Sequence, residues 1–116
     1  MNNRPEVNKI QQLISNLESI TKYLYMGKIN EAQGKINETL PGVSSCYTYL
    51  IDNAIRYGSM GVEVPVDVLA QHICNMTDAM NNNDLVALTD TFQYEIREGL
   101  AFLEELVRQE IQEGEA

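Results

Sequence analysis

Any chemistry in this chain has to run through very few side chains. His72 is the only histidine, and Cys46 and Cys74 are the only cysteines, among 116 residues. A histidine-based metal or acid–base site must therefore use His72. On a helix its neighbours three and four positions away are Val68, Leu69, Asn75 and Met76, none of them a strong metal donor. Glu-x-x-His pairs, which build di-iron sites in helical bundles, do not occur. Cys74 follows two positions after His72 and falls on a different helix face, so the two make no local ligand pair. The cysteines lack the close spacing of a metal or redox motif and read as small buried apolar side chains in a reducing compartment.

Other nucleophiles and acids are no better placed. Ser44 and Ser45 lie inside a helical stretch, where hydroxyls bond back to the preceding turn. Asp90, Glu95, Glu98 and Glu105 avoid the apolar stripe of their helix, and nothing sets two carboxylates in a dry cleft. There is no Gly-rich phosphate loop and no Gly-x-Ser-x-Gly elbow. The residues thus imply no enzyme, no metal and no cofactor. The competing reading is a metal- or small-ligand-binding bundle in which His72 joins a cysteine or a carboxylate.

Charge narrows the partners. Residues 1–58 carry six bases against five acids, whereas residues 59–116 carry only Arg97 and Arg108 against twelve acids, which together give the net charge of −9. Such a chain repels nucleic acid and has no basic stripe to release counterions. The acidic half reads as a solubilising surface, or as a face that steers a basic partner. Hydrophobic residues at 44% supply an ordinary globular core, so one domain over residues 1–116 is expected. No apolar run approaches the roughly 20 residues that cross a bilayer, and residues 1–6 carry no apolar secretion core. The expected location is the cytoplasm, with no membrane contact.

Four stretches must position these side chains. A first helix is predicted over about 4–26, with Pro5 and Glu6 in its first turn, the stripe Val7, Ile10, Leu13, Ile14, Leu17, Ile20 and Leu24, and Gly27 as C-terminal cap. A second runs over about 28–57. Its apolar positions keep one phase through Pro41 and Gly42, which predicts a single helix kinked at Pro41 and held by packing on both flanks. Two helices meeting at Leu40-Pro41 are the alternative. Gly58 is expected to cap this rod, and residues 58–64 to cross over with Val62 and Val64 against the core. A third helix is predicted over about 65–80 and a fourth over about 84–112, capped by Asn83 or Asp84, carrying Leu85, Leu88, Phe92, Ile96, Leu100, Leu103 and Val107, and fraying over 112–116. The fold class is all-α, an antiparallel four-helix bundle with a long second helix kinked at Pro41.

Beyond Pro41 the apolar coverage is too wide for one stripe. It marks either the most buried part of the fold or a contact surface, and Tyr47, Tyr49, Leu50, Ile51, Ala54 and Ile55 are the candidate partner-binding residues. Six of the eight aromatics are tyrosine, which suits bundle rims and interfaces alike. A partner helix, or a second copy of the chain, is the expected occupant.

The segment from Asp78 to Ile96, with its alanine-bearing helix end, the polar turn Asn81-Asn82-Asn83-Asp84 and the acidic helix through Tyr94-Glu95, resembles one in a small family of bacterial helical proteins. The helix arrangement is similar to that of flagellar export chaperones. The resemblance covers about a third of the chain. It implies a helical bundle acting as a chaperone or adaptor in bacterial motility or secretion, and it brings no catalytic residues.

Overall fold

The computed structural model describes residues 4–115, and among them the chain is all-helical with no strand. Helices α1 (Val7–Tyr25), α2 (Ile29–Asp52), α3 (Ala54–Ser59) and α4 (Val66–Asn81) are followed by α5 (Leu85–Asp90), a π turn (Thr91–Ile96) and α6 (Arg97–Glu115). The last three succeed one another without a non-helical residue. The absence of a secretion core was read partly from Met1–Asn3, which lie outside the described residues. Pro5 falls ahead of α1 rather than within its first turn: Glu6 is the extended N-cap residue, and its carbonyl accepts from Lys9 and Ile10. At the other end α6 stays helical to Glu115, where fraying from residue 112 was expected.

Three connections close with the same device. After α1, Gly27 takes a left-handed φ of 72°, Lys28 N donates to Tyr23 O and Gly27 N to Leu24 O. This Schellman arrangement satisfies carbonyls that the helix end would leave unpaired. Asn83 (φ 52°) does the same after α4, and Asp84 then caps α5 by accepting from Ala87 N at 3.1 Å. The turn after α3 corrects an expectation. Gly61 (φ 88°), and not Gly58, holds the left-handed position, with Val62 N on Tyr57 O. The helix runs one turn further than the first glycine suggested, because Gly58 is accommodated as an ordinary helical residue.

Helix α2 continues through Pro41. Proline removes one backbone donor and leaves the carbonyl four residues back, at Asn37, without a helical partner. Asn37 and Pro41 both lie on the exposed side of the helix. Gly42 faces inward, where a Cβ would stand 2.6 Å from Leu13 Cδ2, so the bare backbone lets α1 approach α2 closely. The interruption falls at Asn53 instead. There φ −104°, ψ 10° leaves helical geometry, and the Asn53 carboxamide donates to Tyr49 O at 2.8 Å in competition with the ladder.

Helix α1 packs against α2 and α6, while α4 packs against α5, the π turn and α2. The stripe positions converge: Ile10, Leu17, Ile20, Val43, Leu50, Leu69, Phe92, Ile96, Leu100 and Leu103 are all buried. Val64 of the crossover is buried and Val62 packs against the core. Filling the α1–α2 contact tests this geometry. Gly42→Leu is expected to lose about 1–3 kcal/mol in urea denaturation by forcing Leu13 and α1 outward, whereas Gly34→Leu, whose Cβ meets nothing within 4 Å, should not.

Candidate functional site

The six residues expected to form a partner-binding face do not form one. Tyr47 (1% exposed), Tyr49 and Leu50 (0%) belong to the core, and Ile51 and Ala54 are half-buried against it. Only Ile55, 90% exposed, is open to a partner. Helix α2 meets α1, α4 and α6, so its wide apolar coverage beyond Pro41 is interior rather than unpartnered. The side chains come together as two buried tyrosine clusters.

The first centres on Tyr47. Its phenol oxygen stands 2.9 Å from His72 Nδ1, 3.4 Å from Glu95 O and 3.5 Å from Ile96 O, the last carbonyls of the π turn. A Cβ built on Gly99 would lie 2.0 Å from that oxygen, so glycine there is a condition for seating the phenol. Burial, then the charge of Glu95, the neighbouring Cys46 and the charge of Glu98, push the Tyr47 pKa well above the ordinary phenol value. The phenol therefore stays protonated and remains a donor. Asn75, one turn along α4 from His72, donates Nδ2 to both Glu95 oxygens at 3.0 and 3.2 Å. His72 is thus a buried, hydrogen-bonded histidine. Among the described residues no three His, Cys, Asp or Glu side chains converge as metal donors.

The second cluster is a closed ring. Glu110 can only accept, so Tyr57 must donate to its Oε1, at 2.5 Å. Tyr57 then accepts from Tyr49 at 2.8 Å, and Tyr49 accepts from Arg56 Nη2 at 2.7 Å. Arg56 Nη1 returns to Glu110 Oε2 at 2.9 Å, and its guanidinium lies 4.5 Å over the Tyr57 ring. Arg4 adds a longer ion pair at 3.8 Å. Burial works against the Glu110 charge, but hydrogen bonds from Tyr57 and Arg56 and the charges of Arg56 and Arg4 outweigh it and hold the pKa below the ordinary 4.5. Tyr57 is raised by burial and by its bond to Glu110. Asn53 braces the ring from the break: its Oδ1 accepts from Arg56 Nε at 3.1 Å, while Arg56 Nη1 reaches Glu110 of α6.

The cysteines separate. Cys46 is buried, and desolvation, partly offset by Lys9, pushes its thiol to about 11. Cys74 is exposed on α4, contrary to its expected burial, because α4 turns its Leu69–Met76 side to the core.

Two depressions remain. One of about 1060 Å³ runs between α1 and α2 and mixes polar liners such as Lys9, Gln12, Asn16, Thr48 and Asp52 with Leu13, Pro41, Cys46 and Tyr49. The other, about 230 Å³, is a notch where the α1–α2 and α4–α5 turns meet, lined by Leu24, Ile29, Ile36, Met80, Leu85 and Leu88 together with Gln33 and Asn83. The smaller one carries the stronger signal for binding. Its liners Ile29 and Leu85 are themselves exposed, and Tyr25 (72% exposed), Met26 and Val86 (75%), within two residues of liners in the chain, are among the most open large apolar side chains described. The Tyr25 hydroxyl donates to Gln93 of the π turn at 3.3 Å, fixing one flank. Sequence reading placed Leu24 and Leu85 on buried stripes, and Val86 drew no attention. The available signal was Val86 adjoining Leu85 directly after a capped turn.

Over residues 7–108 the chain matches the family described as Domain of unknown function (DUF8042). No curated protein and no solved structure matches it.

Two measurements check the site chemistry. A carboxylate whose folded pKa is depressed contributes stability above its unfolded pKa, and that contribution is lost as pH falls through the folded value. Glu110→Gln should therefore cost about 1.5–3 kcal/mol at pH 7 and show a flatter loss of stability below pH 4.5 than the unaltered protein, as read by urea midpoints. In thiol labelling of the native protein at pH 7.5, Cys74 should react at the rate of a free thiol and Cys46 only after unfolding.

Proposed function

We propose that this chain, which belongs to the Domain of unknown function (DUF8042) family, is a protein–protein interaction module that seats the apolar face of a partner helix on the notch between its two helical hairpin turns. The observation that carries this reading is that Ile29 and Leu85, which line one small depression, are exposed, and that exposed Tyr25, Met26 and Val86 lie within two residues of its liners in the chain. A volume of about 230 Å³ suits a bulky apolar anchor rather than a substrate with several polar groups. Helix-in-groove recognition uses such anchors at one-turn spacing, with the surrounding apolar rim excluding water. In this reading the chain catalyses no reaction, works in the cytoplasm, and does not bind nucleic acid, from which its net charge of −9 separates it.

The finer architecture belongs to the same proposal. The two hairpins, α1–α2 and α4 with the α5–α6 rod, act as an antiparallel four-helix bundle, with a bend of the second rod at Pro41. The contacts of α1 with α2 and α6, and of α4 with α5 and the π turn, support it. A role as chaperone or adaptor in bacterial motility or secretion rests on the resemblance of residues 78–96.

Photo-crosslinking from position 86, compared with position 55, tests the surface in the native cell. The expected product from position 86 is one partner, joined through a segment with apolar residues at three- and four-residue spacing. Val86→Asp should weaken that complex about 10-fold or more while the circular dichroism melt stays unchanged, and Ile55→Asp should leave it intact. A partner captured only from position 55, or a complex indifferent to Val86→Asp and Leu85→Asp, would sink the notch as the site.

A further inference from the structure

Tyr47 has one hydroxyl proton and three acceptors within reach, and the distances rank them. The contact to His72 Nδ1 is 2.9 Å, while Glu95 O and Ile96 O stand at 3.4 and 3.5 Å. A hydroxyl donating to a carbonyl normally sits at about 2.7–2.8 Å. With a neutral imidazole carrying its proton on Nε2, the phenol proton therefore goes to Nδ1, and the two carbonyls receive only weak contacts.

We propose that His72 is a proton-operated selector that moves the Tyr47 hydrogen bond from the imidazole to the backbone of the π turn. When the imidazole takes a proton from solvent, that proton lands on Nδ1, which turns from acceptor to donor. Nδ1–H then donates to the phenol oxygen. The phenol keeps its own proton, which now has only the Glu95 and Ile96 carbonyls to meet. No other group in the cluster changes its proton count. The phenol oxygen sits in the space a side chain at position 99 would fill, so the change is a rotation about the C–O bond and small shifts rather than a withdrawal of the ring.

The acceptors stand where this matters. Over Thr91–Ile96 the ladder is i→i+5, as with Arg97 N on Phe92 O, and it returns to ordinary helix in α6. A phenol donor at the final carbonyls strengthens that junction when the imidazole carries its second proton and releases it when it does not. The groups around it come from several elements. They are Tyr47 on α2, Glu95 on the π turn through Asn75, and Glu98 on α6, whose charge reaches the same phenol. Asp90 of α5 and Asp67, Cys74 and Asp78 of α4 itself are exposed.

Carbonyl-carbon NMR of the labelled full chain between pH 5 and 8.5 tests the selector. In the unaltered protein the Glu95 and Ile96 carbonyl shifts should move with the midpoint of the His72 imidazole. In Tyr47→Phe that movement should be lost while His72 still titrates, an outcome that a purely structural tyrosine would not give. Should Tyr47→Phe fail to fold, His72→Gln decides, because the carbonyl shifts should then be flat across the range. Carbonyls that stay still while His72 titrates would overturn the proposal. So would a His72 that does not titrate in the range, or a pH-dependent shift surviving in either variant.

Discussion

The seating of the Tyr47 phenol on the bare backbone at Gly99 is the contact from which the arrangement of the other helices follows. A Cβ at position 99 would occupy the oxygen's place, so the tyrosine of α2 reaches its full length to the backbone of α6 there. Burying a hydroxyl without a partner costs a few kcal/mol, and this one is met by an imidazole from α4 and by carbonyls of the π turn. Three separate elements are thereby registered against one atom. Among the described residues no fully buried side-chain nitrogen or oxygen is left without a partner.

The second tyrosine cluster fixes the other end of the same helix pair. Its direction is set by donor counting: a carboxylate that only accepts at one point and a guanidinium that only donates at another leave one orientation for each phenol. The charges are partly open to solvent, so the ring contributes less through Coulomb attraction than through holding Tyr49 and Tyr57 in a single geometry. Asn53, where the helix is interrupted, joins the ring through its Oδ1, which accepts from Arg56 Nε, whereas α2 runs on through the exposed Pro41.

With Tyr47, Tyr49 and Tyr57 committed to the interior, two surface depressions remain. The one along α1 and α2 is wide, and polar and apolar groups share its lining. The notch where the α1–α2 and α4–α5 turns meet is small, most of its lining side chains are apolar, and Ile29 and Leu85 among them stay exposed. Membership of the DUF8042 family carries no activity with it, so the functional reading rests on these exposed apolar side chains.

Much of the fold was legible in residue spacing. The centres of the stripes of α1, α4 and α6 (Ile10, Leu17, Leu69, Met76, Leu100, Leu103) are buried, Gly27 takes the left-handed cap, and Asp84 caps α5, because each is decided within one turn of helix. The π turn was legible too, though unread: Leu88, Phe92, Ile96 and Leu100 advance by three consecutive steps of four. An ordinary helix overshoots by about 40° per such step, and the wider turn absorbs the drift. What spacing could not decide was whether the broad coverage of Tyr47–Ile55 meets solvent or other helices, which sorted five of those residues inward and left Ile55 outside. Nor could it pair Tyr57 with Glu110 or Tyr47 with His72, 53 and 25 positions apart. Periodicity reports which residues share a face of one helix, while the identity of what covers that face is set by contacts distant in the chain, and only the assembled helices supply them.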